Sequence, residues 1–172
     1  LEENNAIAVD NIDDADVISL LPLGSKDNTV PGKGLDASDR DDAINIANWP
    51  VSSFFMPDGI ALLEVDGENF LVTANEGDNR DDDSKRVREL DLDEAFFPDA
   101  DSLKADGAIG RLRVSTIDGK GEDGEFEALY ALGARSFAIW TVDGTRVFES
   151  GDQFEQSTAA LLPDFFNADK DE

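Results

Sequence analysis

A chain of 172 residues with 40 acidic and 14 basic side chains carries a net charge of −26, yet its 40% hydrophobic content is enough for a buried core. Nucleic acid is disfavoured as a partner, because binding it needs clustered Lys and Arg and no window has a sizeable basic excess, the nearest, "SKRVREL" (Ser84–Leu90), following three aspartates. The absence of cysteine and histidine removes disulfides, thiolate chemistry, the Ser-His-Asp triad and imidazole metal ligation.

In chain order, the pattern is one of strands. "NAIAVD" and "ADVISLLPLG" open the chain, "GIALLEV" and "NFLVTAN" follow in the middle, and "GRLRVSTI", "FEALYALG", "SFAIWTV" and "TRVFESG" close it. Each is a short apolar or alternating run bounded by turn-forming residues. The Asp-Gly pairs in "VDGEN" (Val65–Asn69) and "VDGTR" (Val142–Arg146) suit tight hairpins, since Gly accepts positive φ. "DLDEAFF" (Asp91–Phe97), "DADSLKAD" (Asp99–Asp106) and "STAALLPDFF" (Ser157–Phe166) have room for one or two helical turns each. The expected class is all-β, with antiparallel hairpins and short helical turns.

Two hairpins share one layout. "GIALLEVDGENFLVTANEGD" and "SFAIWTVDGTRVFESGDQFE" each read as strand, V-D-G turn, strand and Gly-Asp exit. Repeated β-hairpin units are what a propeller would produce, and ordinary hairpins of a sandwich are the competing reading. Residues 25–56 break the rhythm. Their two glycines, two prolines and the acidic run "GLDASDRDDAINIA" form a long aperiodic loop, of the kind that is ordered by function or by a ligand. Ile44, Ile46, Trp49, Val51, Phe54 and Phe55 within it are expected to fold back onto the body.

Self-repulsion at this charge is relieved by screening or by bound cations, which points to adaptation to salty water. Hard cations need several converging oxygen ligands. Two stretches offer them: Asp36, Asp39, Asp41 and Asp42 in the long loop, and Asn75, Glu76, Asp78 and Asp81 in "NEGDNRDDD". Ca²⁺ is the expected ion, ahead of Mg²⁺, and no organic cofactor is expected. Neither stretch has EF-hand spacing, because Ser84 and Leu90 stand where that loop requires Gly and Glu. A solvated acidic surface is the competing reading, and so is ion pairing to Arg40 and Arg80 inside the two clusters. Arg135 is placed to bridge to an acidic loop of the neighbouring unit. Glu76 with Asp78 is the most exposed carboxylate pair for acid–base chemistry, and Trp49, Trp140 and Tyr130 are candidates for either a binding platform or the core. "LEENNAIAVD" has no signal-peptide regions, and no apolar run approaches the roughly 20 residues of a membrane span, so this segment is not expected to insert into a membrane.

The wording of "GLDASDRDDAINIANWPV", "PDGIALLEVDGENFLVTANEGDNRD" and "LYALGARSFAIWTVDGTRVFESGDQFE" resembles the choice-of-anchor I family, exported bacterial proteins similar to the animal mesenchyme-specific cell surface glycoprotein and often labelled alkaline-phosphatase-like. The resemblance implies a β-propeller-like module, extracellular, cell-surface or periplasmic. On this reading residues 1–172 are one all-β module inside a larger propeller-like domain, a partial propeller whose open sheet edges favour pairing with another chain. Phosphatase activity does not transfer, since it would belong to attached His- and Asp-rich modules. The expected function is non-catalytic adhesion or binding of a surface protein or carbohydrate, with cations ordering the acidic loops. Two alternatives stand beside it: a fragment of an esterase- or phosphatase-like propeller using carboxylate-bound metal, and a structural segment adapted to high salt.

Overall fold

The computed structural model describes residues 1–78 and 82–167. In chain order the strands are β1 (Ala6–Asn11), β2 (Asp16–Pro22), β3 (Ser25–Asp27), β4 (Leu35–Asp36), β5 (Ile46–Ala47), β6 (Ser52–Phe54), β7 (Gly59–Val65), β8 (Glu68–Asn75), β9 (Ser84–Arg86), β10 (Arg113–Ser115), β11 (Tyr130–Leu132), β12 (Ser136–Thr141) and β13 (Arg146–Glu149). Helices are few: α1 (Ala100–Leu103), α2 (Gln153–Leu161) and three short 3-10 turns. The protein is therefore mostly β.

All eight expected strands form, and the two similar hairpins do so at their Asp-Gly turns, as β7–β8 and β12–β13. They are neighbours within one sheet. β8 pairs antiparallel with β12 from Asn75↔Ser136 to Phe70↔Thr141, giving a four-stranded sheet in the order β13-β12-β8-β7. The remaining strands make a five-stranded sheet, β3-β6-β11-β10-β9, and two two-stranded ribbons, β1-β2 and β4-β5. One pairing departs from the antiparallel expectation: β6 and β11 run parallel, Ser52↔Tyr130 to Phe54↔Leu132. The long connection between them allows this, whereas a tight hairpin joins only antiparallel strands.

The aperiodic stretch 25–56 holds four short strands, β3 to β6, which were not legible because no alternating apolar run surrounds them. Its apolar residues do fold inward. Phe55 and Val51 are buried, Trp49, Phe54 and Ile46 are half-buried, and only Ile44 of the six is exposed. Two clusters make the core. Leu35, Val51, Val87, Ile109, Val114 and Leu129 belong to the first, under the five-stranded sheet; Ile7, Leu23, Phe55, Ala138 and Trp140 belong to the second. The two sheets are tied where Gly77 meets Gly133. Both have positive φ, and a Cβ on Gly133 would collide with the Glu76 carbonyl, so this backbone crossing requires glycine.

Candidate functional site

The acidic loop is suspended from the β4–β5 ribbon, whose two pairs are Leu35↔Ala47 and Asp36↔Ile46. Asp36 is buried, and its carboxylate accepts the backbone N–H of Ser38 at 3.2 Å and of Asn45 at 3.0 Å, together with Asn167 Nδ2 at 3.1 Å. Short Asp side chains bond readily to nearby backbone N–H groups, and here that preference organises the loop. Asp41 does the same locally, accepting Ala43 N–H at 3.2 Å. Asp42 takes a left-handed backbone conformation, φ 52°, and stays exposed. Asn167 also reaches the carbonyls of Ser38 and Ala43, so the segment after α2 clasps the loop.

Arginines complete the wall. Arg111 Nε donates to Asp39 Oδ1 at 2.8 Å, and Arg40 Nε lies 3.4 Å from Asp39 Oδ2. Arg135 donates to the Asp36 carbonyl at 2.8 Å and to Glu155 Oε1 at 2.9 Å, and so bridges the acidic loop to α2. Glu155, buried on α2, accepts the Asp36 N–H at 2.6 Å with its other oxygen. Lys26 steadies the neighbouring backbone: its ammonium is buried and donates to the Ala134 carbonyl at 2.5 Å, and burial pushes its pKa down. Arg86 and Arg113 face the same cavity of about 280 Å³, which Asp36, Asp39, Arg111, Arg135 and Asn167 also line.

The Arg111 hydrogen bond holds the Asp39 carboxyl below its usual value, partly offset by desolvation. A carboxylate whose folded pKa is depressed contributes stability above the unfolded pKa of about 3.9 and loses it as pH falls through the lower folded value. Asp39→Asn is therefore expected to flatten the fall in melting temperature below about pH 4. An unchanged acid limb would show that the pair does not act on stability.

The second stretch is not gathered at one point. Asn75 is buried in the sheet, where Thr73 Oγ1 donates to its Oδ1 at 2.8 Å and its Nδ2 donates to Ser136 Oγ at 3.1 Å. Glu76 is exposed, Asp78 lines a different cavity of about 410 Å³ with Glu3, Asp83 and Asp118, and Asp81 lies outside the described residues, as does Arg80. The two cavities differ in sign, one walled by arginines and the other by carboxylates. Near the acidic one, burial and then the charges of Asp58, Asp78, Glu76 and Glu3 push the Glu2 carboxyl up.

Sequence reasoning missed a third group. Asp93, Asp123 and Glu125 each offer an oxygen within 4.8 Å of the others. Two backbone hydrogen bonds, Asp93 N–H to Phe126 O at 3.0 Å and Phe126 N–H to Asp91 O at 2.8 Å, bring these distant segments together. A Ca²⁺ ion takes six to eight oxygens, more than these three side chains alone supply. Glu155, Arg86, Arg111 and Arg113 were also missed as site residues. The signals were "SKRVREL", the nearest approach to a basic window, which holds Arg86, and "RLRV", two arginines spaced by two, which holds Arg111 and Arg113. Of the aromatic candidates, Trp140 is buried in the core, Trp49 donates its indole N–H to the Leu35 carbonyl at 3.1 Å, and Tyr130 stacks on Phe54 at 4.9 Å.

Comparison with known proteins adds three facts. Gigasin-3a of Magallana gigas is 37% identical over 68 residues, 39% of this chain and 24% of that protein, so the chain spans about a quarter of the relative's length. No solved structure matches the chain significantly. The family model of the choice-of-anchor I domain matches residues 1–172, and the chain belongs to that family.

Proposed function

We propose that this is a surface-associated, non-catalytic β module that binds a partner polypeptide by strand pairing at the β7 edge of its four-stranded sheet. The observation that carries the reading is β7 itself. It is an edge strand, and Ile60, Leu62, Leu63 and Val65 are all exposed along it, on both faces. Natural edges are normally blunted by charge, proline or cover, whereas a long apolar edge templates another strand. Family membership supports the surface location, and among the described residues no helix is long and apolar enough to cross a membrane. The four-stranded sheet is the blade-like unit of a propeller in this reading, β7 being the strand that meets its neighbour.

A second copy of the chain serves as the test partner. In 1 M NaCl, where the Debye length is about 3 Å and the −26 charge is screened, sedimentation should show self-association of the wild type. Leu62→Lys places a charge on the edge and should return the chain to monomer. Monomer in both would contradict the reading.

Divalent cations order the acidic loops in the same proposal. Ca²⁺ should raise the melting temperature more than NaCl of equal ionic strength, and EDTA should reverse it. Equal stabilisation by the two salts would remove the specific ion and leave screening alone. Loss of the difference in a variant combining Asp123→Asn and Glu125→Gln would place the ion at Asp93, Asp123 and Glu125; loss in Asp39→Asn would place it in the long loop.

A further inference from the structure

We propose that the arginine-walled cavity binds a tetrahedral oxyanion, phosphate or sulfate, either free or as an ester on a sugar-sized group. Four of the eight arginines in a chain of net charge −26, Arg86, Arg111, Arg113 and Arg135, line this one cavity. Two of them oppose each other directly. Arg86 and Arg113 are cross-strand partners in the β9–β10 ladder, a placement that like charges destabilise. With 40 acidic residues in the chain, neutralising that pair from within would be simple, yet neither forms an ion pair among the described residues. Their guanidinium donors instead reach neutral oxygens at long range, the Arg111 carbonyl at 3.4 Å and Ser84 Oγ at 3.3 Å.

Arg111 and Arg40 share Asp39, and Arg135 pairs with Glu155, while Asp36 is engaged by three neutral N–H donors. Arg86 and Arg113 therefore supply two guanidinium groups that no described carboxylate pairs, and even with the Asp36 carboxylate counted against them the wall stays net positive, as an oxyanion requires. Planar guanidinium forks match the oxygens of such anions two at a time. Burial first, then Arg111, Arg113 and Arg88 nearby, lower the Arg86 pKa, with Asp39 partly opposing them. Arg135 is held in a left-handed backbone conformation, φ 49°, unusual for a non-glycine residue. A cavity of about 280 Å³ also has space for more than the bare ion.

The test is calorimetric titration of the whole chain in 0.5 M NaCl, which screens its overall repulsion, with sodium phosphate, sodium sulfate and a sugar monosulfate as separate probes. Saturable binding of one anion per chain is expected, at least tenfold weaker in a variant combining Arg86→Gln and Arg113→Gln, and unchanged in Arg88→Gln, whose side chain pairs with Asp106 outside the cavity. The order of affinities tells a free ion from an ester. Because sulfate and phosphate stabilise many proteins by exclusion, melting is compared between wild type and variant rather than between salts. In NaCl alone the double variant should melt no lower than the wild type, since it loses a like-charge pair. No saturable binding of any probe to the wild type would overturn the site, as would binding retained in a folded double variant.

Discussion

Replacing Trp140 with alanine is expected to lower the unfolding free energy by about 3–5 kcal/mol, the range for a buried large aromatic. Trp140 is 2% exposed, sits on the middle strand β12 and meets the ring of Phe55 edge-on, with centroids 5.4 Å apart and planes at 87°. Its indole N–H donates to Thr73 Oγ1 at 2.9 Å, and Thr73 in turn donates to Asn75. Removing the ring leaves a cavity between the four-stranded sheet and Phe55 and strips a donor from a buried polar chain. Trp140→Phe keeps much of the apolar contact but loses the donor and part of the ring volume, so a smaller loss of about 1–2 kcal/mol is expected. Urea unfolding measures both, and a loss below about 1 kcal/mol for the alanine variant would show that this cluster is not a close-packed core.

Glu155→Ala is expected to cost about 1.5–3 kcal/mol, the range for a hydrogen bond to a charged group. One oxygen accepts the Asp36 N–H and the other accepts Arg135, so a single side chain on α2 joins the helix, the β4–β5 ribbon and the cavity wall. Arg135 is half-exposed, which limits the ion-pair share, while the buried Asp36 N–H is left without its acceptor. Glu155→Gln retains an acceptor for that N–H and should recover a substantial part of the loss. Equal losses in both variants would mean that the charge on Glu155, rather than the Asp36 contact, is what matters.

The hairpins were legible because their alternation is long and their turns have specific chemistry: β7–β8 and β12–β13 fold at Asp66-Gly67 and Asp143-Gly144. Their side-by-side pairing in one sheet was not, because a shared layout does not say which strand a strand will join. β3 to β6 and β9 were hidden because they are short and lie in stretches without apolar alternation, whereas the equally short β10 and β11 lie within alternating runs. In the acidic loop, the sequence placed the aspartates and an arginine together but could not reveal that Asp36 turns inward to backbone N–H groups. The partners that close the site, Arg111 and Glu155, lie 72 residues from Asp39 and 119 from Asp36. Asp93, Asp123 and Glu125 converge for the same reason, through pairing at Phe126 that no local pattern announces. Contacts of that separation are set by topology, and local periodicity carries no information about them.

The most direct test of the β7 edge as the binding surface is amide hydrogen exchange in 1 M NaCl at low and high protein concentration. Strand pairing predicts that amides of Gly59–Val65 exchange more slowly at high concentration while those of the central strand β12 stay unchanged. Exchange along β7 that is independent of concentration, or that slows equally in Leu62→Lys, would contradict it.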